Sequence, residues 1–91
     1  MLTAIVLLKV EHGRVNEVAE RLADNREISE VYSVSGTYDL IAIVRVAENE
    51  ELARLVTDTI ARIEGIRETE TMLAFRAYSR HDLEQMFSVG L

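Results

Sequence analysis

Two apolar runs, Ala4-Ile5-Val6-Leu7-Leu8 and Leu40-Ile41-Ala42-Ile43-Val44, constrain this chain more than any other feature of it. Each lies inside a short β-branched segment of strand length, Thr3 to Val10 and Asp39 to Val46. Successive side chains of a strand point to opposite faces. Ile5 and Leu7 therefore oppose Val6 and Leu8, while Ile41 and Ile43 oppose Leu40, Ala42 and Val44. Such strands are apolar on both sides, and a single layer of helices covers only one.

The segments between them change period. Val15, Val18, Ala19 and Leu22 recur at helical spacing, predicting an amphipathic helix over about 13–24, opened by Gly13 and ended by Asn25. Val31 to Ser35 reads as a strand that forms a hairpin with Asp39 to Val46 through a Gly-containing loop. Leu52, Leu55, Val56, Thr59, Ile60 and Ile63 make a second helical stripe, with Asn49 placed as N-cap and Gly65 as the left-handed residue past its end. Thr69 to Ala77 follows as a strand in which Thr69, Thr71, Leu73 and Phe75 share a face. Ser79-x-x-Asp82 resembles a capping box, so residues 79–91 read as a tail with a short C-terminal helix after a domain over 1–78. The order βαββαβ is the α+β, ferredoxin-like arrangement: a four-stranded antiparallel sheet with two helices on one face.

That leaves the other face bare. Each buried aliphatic side chain contributes about 1.5–3 kcal/mol, against a net stability of only about 5–15 kcal/mol for a whole domain. A second copy, packed sheet to sheet into an α/β barrel, is the simplest cover. The competing cover is the tail itself, although Leu83, Met86, Phe87 and Leu91 are enough to seal a rim rather than four strands.

Composition removes several function classes. With 10 Lys+Arg against 16 Asp+Glu the formal charge is -6, and the basic residues are scattered, which argues against direct nucleic-acid binding. There is no Cys, so thiolate metal sites and cysteine nucleophiles are excluded. His12 and His81 form no ligand spacing and read as solvated loop or cap residues. No Ser stands in a Gly-x-Ser-x-Gly setting, and the glycines at 13, 36, 65 and 90 make no phosphate loop. Glu48, Glu50 and Glu51 suit the first turn of a helix better than a cation site. No catalytic set, metal site or cofactor is expected. The apolar runs are too short to span a membrane, and the default location is the cytoplasm.

Val34-Ser35-Gly36-Thr37-Tyr38-Asp39-Leu40 and Glu64-Gly65-Ile66-Arg67-Glu68-Thr69-Glu70-Thr71, taken together, resemble the effector-binding (RAM) domain of the Lrp/AsnC, or feast/famine, transcriptional regulators. The family text runs approximately Val-x-Gly-x-Tyr/Phe-Asp-Tyr/Leu before the third strand and Pro-Gly-Val-x-x-Thr-x-Thr into the fourth. Family members usually carry a helix-turn-helix domain ahead of this one, whereas here Met1 sits against the first strand, so the expectation is a stand-alone effector domain. The resemblance implies sheet-to-sheet dimers, assembly into rings that are commonly octameric, an amino-acid effector bound between dimers, and mixed assembly with full-length relatives.

The candidate ligand-binding residues are Gly36, Thr37, Tyr38, Asp39, Asn49, Thr69, Thr71 and Met72. Gly36 suits a loop position with φ > 0. It equally lets the amides of 36–38 approach a carboxylate, with Asp39 left for an α-ammonium. Asp39 is otherwise a turn residue that caps loop amides. Thr69 and Thr71 bond a ligand or the next strand, Asn49 is a plain N-cap or a pocket residue, and Met72 is core filler or an adaptable pocket wall. The leading expectation is a non-enzymatic amino-acid sensing and oligomerisation module. The alternatives are a small dimeric α+β-barrel enzyme of monooxygenase type, for which Tyr32, Arg45 and Tyr78 are the available side chains, and a ligand-free oligomerisation domain.

Overall fold

The computed structural model describes residues 1–80. The elements are β1 (Leu2–Val10), α1 (Val15–Ala23), β2 (Ile28–Ser33), β3 (Leu40–Val46), α2 (Asn49–Arg54) and β4 (Ile66–Leu73). The sheet order is β2-β3-β1-β4, and every neighbouring pair is antiparallel, which is the ferredoxin-like topology expected from the element order.

The alternation in the two central strands resolves into two distinct surfaces. Ala4, Val6, Leu8 and Val10 of β1 join Leu40, Ala42, Val44 and Val46 of β3 and Ile28 of β2 in one cluster with Val18 and Leu22 of α1 and Leu52, Leu55 and Ile60 of the second helical segment. Both helices thus pack on one face. That layer contains no buried polar or charged side chain among the described residues.

The second helix is less regular than its stripe suggested. α2 runs on through a π-helical turn, Leu55–Thr59, and a 3-10 turn, Ile60–Arg62. The wider turn lets Leu55 and Ile60, five residues apart, both point into the core, where each is 2% exposed. The Thr57 hydroxyl donates back to the Ala53 carbonyl at 2.6 Å, a bond that bends helices.

Several boundaries differ from the sequence reading. β2 starts at Ile28 rather than Val31 and stops at Ser33, because its pairing with β3 runs from Val44 to Leu40. β4 spans Ile66–Leu73 rather than Thr69 to Ala77, its pairing with β1 running from Val10 to Ala4; the Ala74 amide still donates to the Thr3 carbonyl, and Phe75 lies beyond the strand. α1 begins at Val15 with Arg14 at its N-cap, while the Asn25 side chain caps its end by donating to the carbonyls of Arg21 and Leu22. Asn49 is the first helical residue of α2 and Glu48 holds the N-cap position, so the N-cap reading of Asn49 is corrected by one residue. Gly65 has φ +98, as the left-handed position requires, and a Cβ there would meet Val18 Cγ2 at 3.1 Å. The predicted terminal helix, with Asp82, Leu83, Met86 and Phe87, lies outside the described residues.

Candidate functional site

The loop from Val34 to Asp39 sits where β1 outruns β3. Its base is closed by the Val34 amide donating to the Asp39 carbonyl (3.0 Å) and the Asp39 amide donating to the Leu8 carbonyl (2.9 Å). Past Leu40 no β3 backbone remains to receive the next β1 amide. Asp39 Oδ2 takes its place and accepts the Val10 N–H at 2.8 Å. One oxygen of this carboxylate is therefore engaged in holding the corner of the sheet. Leaving that amide without an acceptor costs about 1–3 kcal/mol. Asp39→Ala is accordingly expected to destabilise the fold by an amount in that range in urea titration, whereas Asp39→Asn, which keeps an acceptor oxygen, should remain near wild type.

Gly36 has φ +107, and a Cβ added there would meet nothing within 4 Å, so conformation rather than crowding selects glycine. Thr37 is exposed. Tyr38 leaves the loop across the helix-free face of the sheet. Its hydroxyl donates to Glu70 Oε1 at 2.6 Å, and the Lys9 ammonium lies 5.6 Å from its ring centroid. The hydrogen bond to Glu70, then burial and the charges of Glu70 and Glu68, raise the Tyr38 hydroxyl above its ordinary pKa. Lys9 also pairs with Glu68 at 3.6 Å.

Strand register places the remaining candidates. Thr69 and Thr71 lie opposite Leu8 and Val6, on the helix side of edge strand β4. Thr69 borders a shallow groove of about 180 Å³ formed with Val56, Ile60, Ala61, Ile63, Ile66, Arg67 and Glu68. Met72 lies opposite Ile5 on the other, helix-free face. Gly36, Thr37, Tyr38, Asp39 and Thr69 therefore share one end of the sheet. Asn49 is at the opposite end, beyond Val46, which pairs with Leu2. Within one chain these eight residues do not form a single pocket.

The helix-free face is the larger feature. Ile5, Leu7, Ile41 and Ile43 form its centre, half-buried in the single chain, with Tyr32 and Met72 exposed at the sides. The Tyr32 hydroxyl donates to Glu30, which lifts its pKa, and Arg45 donates to the Ser29 hydroxyl at 2.7 Å and pairs with Glu30 at 3.9 Å. Tyr32 and Arg45 thus belong to this face and not to the cleft between helices and sheet; Tyr78 is exposed beyond β4. Sequence reasoning did not single out Lys9, Glu30, Glu68 or Glu70. Their signal was the same period of two that puts Lys9 on the side of Ile5 and Leu7.

Among the described residues no group of His, Asp or Glu could hold a metal ion, and no helix is long and apolar enough to cross a membrane. His12 is exposed in the turn before α1.

Residues 3–83 match the family model of the Lrp/AsnC ligand binding domain. The HTH-type transcriptional regulator FL11 of Pyrococcus furiosus is 37% identical over 75 residues, which is 82% of this chain and 49% of that protein, so the chain spans about half the length of the curated relatives it matches. Among solved structures, TTHA0845 from Thermus thermophilus is 49% identical with a TM-score of 0.83, covering 88% of this chain and all of that one. The hypothetical protein PHS023 from Pyrococcus horikoshii is 34% identical with a TM-score of 0.79, covering 89% of this chain and 98% of that one. By fold, by motif and by these relatives, the chain belongs to the Lrp/AsnC ligand-binding domain family.

Proposed function

We propose that this domain is a non-enzymatic, cytoplasmic sensor of a free amino acid that works as a sheet-to-sheet homodimer within a larger ring, an octamer by family resemblance, and that adjusts full-length Lrp/AsnC regulators by assembling with them. The observation that carries the reading is the pairing of a family-type loop at 36–39, which has amides for a carboxylate and an acid for an ammonium, with a helix-free sheet face whose aliphatic centre, Ile5, Leu7, Ile41 and Ile43, is only half-buried. One end of an amino acid needs donors and the other an acceptor. In this reading Gly36 and Thr37 receive the ligand carboxylate, and Asp39 faces the ammonium with the oxygen not used by Val10. Tyr38 and Thr69 border the same end of the sheet. Asn49, Thr71 and Met72 contribute from neighbouring subunits, because one chain holds them apart from the loop. The non-enzymatic part is supported by the relatives, which are named transcriptional regulators, and by the match to a ligand-binding domain. The domain over 1–78 carries this function, with 79–91 as a tail.

A ligand-free oligomerisation domain is the competing reading, favoured by the Asp39 carboxylate already serving Val10. A thermal and urea stability screen against the twenty amino acids separates the two. A true effector at 100 times its dissociation constant raises stability by about 2.7 kcal/mol. Asp39→Asn, which retains the Val10 acceptor and loses the charge, should keep the unliganded stability and lose the rise. A flat response to every amino acid at saturating concentration overturns the sensing reading.

A further inference from the structure

The loop that carries the proposed site is tied to the sheet by two consecutive side chains that do different things. Asp39 holds it to the neighbouring strand β1, where its carboxylate accepts the Val10 amide. Tyr38 reaches past β1 altogether: its hydroxyl donates to Glu70 Oε1 on the edge strand β4 at 2.6 Å. The Lys9 ammonium of β1 flanks the ring on the way, 5.6 Å from its centroid, and pairs with Glu68 at 3.6 Å. Register sets Glu70 opposite Leu7 and Glu68 opposite Lys9, so the cation and both carboxylates lie on one side of the sheet.

A hydroxyl bonded to a carboxylate at this length belongs to the charge-assisted class, roughly twice as strong as a neutral pair. Glu70 enters no ion pair among the described residues, and the Tyr38 hydroxyl is the partner that the structure gives it. The stretch just before this anchor has little else to order it. Ser35, Gly36 and Thr37 are exposed, and among the described residues the side-chain hydrogen bonds of the loop are those of Tyr38 and Asp39, both at its C-terminal end. Gly36, at φ +107, adds the conformational freedom of a glycine to that stretch. The amides assigned above to a ligand carboxylate therefore depend on Tyr38 for their place.

We infer that Tyr38 is a positioning residue and not a ligand contact: latched to Glu70 and flanked by Lys9, it holds the 36–39 loop in the shape that presents the Gly36 and Thr37 amides. The inference rests on the amino-acid site proposed above and names what prepares it. Fixing the ring at its tip and along its side fixes the backbone of residue 38, and with it the approach of Thr37 before it and Asp39 after it. A loop ordered before its ligand arrives binds more tightly, because apparent affinity falls with the fraction of loops in the competent shape. Glu70 thus acts on the site through Tyr38.

The test begins without a ligand, as amide hydrogen exchange of the full chain. The Val34 and Asp39 amides, which close the base of the loop, report its opening. Tyr38→Phe and Glu70→Ala should each speed their exchange about tenfold, and the double variant should be no faster than either, since both remove one bond. Glu70→Gln, which keeps an acceptor, should restore most of the protection. Glu68→Gln, which removes the same charge two residues away, should behave as wild type. In Glu70→Ala the Tyr38 hydroxyl should also titrate closer to its ordinary value, because its bond to Glu70 is what mainly lifts it. The paired residues Val6 and Ala42 report the rest of the sheet and should not change in any variant. Titration with each of the twenty amino acids then separates latch from contact: one that stabilises wild type should bind Tyr38→Phe and Glu70→Ala about tenfold more weakly alike. Weaker binding in Tyr38→Phe alone makes the hydroxyl a direct contact and overturns the latch. Unchanged exchange at Val34 and Asp39, or faster exchange throughout the sheet, overturns it equally. A wild-type chain that none of the twenty stabilises overturns instead the sensing reading beneath it.

Discussion

Leu8→Ala is expected to remove about 3 kcal/mol of unfolding free energy, within the range of about 2–5 kcal/mol found for emptying a closed aliphatic site. Leu8 is fully buried, paired with Leu40 on one side and Thr69 on the other, and belongs to the cluster shared with α1 and the second helical segment. Among the described residues no buried polar side chain lies in that layer to draw water into the vacated space. For a domain of this size each kilocalorie shifts the melting temperature by about 4–8 °C, so a drop of more than about 10 °C should accompany the substitution. Urea titration at one fixed protein concentration checks it, with the m-value unchanged if the native state stays compact. A loss below about 1 kcal/mol would mean the layer closes over the gap and is not packed as the structure has it.

How much of this was legible beforehand depends on what kind of interaction decided each feature. Alternation in β1 and β3 and the spacing of Val18, Leu22, Leu52 and Leu55 are local patterns, and they identified both surfaces of the sheet and both helices. Strand ends were not local. Phe75 continues the β-branched and aromatic character of β4, yet the pairing with β1 stops at Leu73 and Phe75 is 93% exposed beyond it, and no property of Phe75 itself reports that. The π-helical turn at Leu55–Thr59 is similarly a compromise imposed by the sheet, which needs both Leu55 and Ile60 facing inward. At the candidate site the motif located the loop, and Gly36 behaves as its φ demands. What the motif did not convey was that Asp39 spends one oxygen on Val10, because that bond exists only through the difference in length between β1 and β3. Asn49 and Gly36 were grouped by resemblance, while topology sets them at opposite ends of the sheet.

Leu7→Glu should have the opposite consequence to the change at its neighbour: a folded chain that no longer assembles. Leu7 lies between Ile41 and Glu70 at the centre of the helix-free face, half-buried in the single chain. There the introduced carboxylate keeps access to water, and the cost to folding should stay near the 0.5 kcal/mol or so typical of surface changes. In a face-to-face dimer the same carboxylate, and its symmetry mate, would be buried among Ile5, Ile41 and Ile43. An unpaired buried charge costs about 3–5 kcal/mol, and 4.1 kcal/mol is about 1,000-fold in a dissociation constant. Sedimentation and native mass spectrometry at micromolar concentration should therefore show monomer with native-like circular dichroism. The sign of the pH dependence follows from the same burial. Assembly raises the pKa of this group above its unperturbed value near 4.3, so association is weakest when the group is ionised and recovers as pH falls through that region. Leu7→Gln, which is polar without charge, should weaken assembly less and show no such recovery. If Leu7→Glu assembles as wild type does, the central aliphatics are not the contact between copies; the loop at 36–39 could still hold a ligand, but its pocket would have to be completed from another direction.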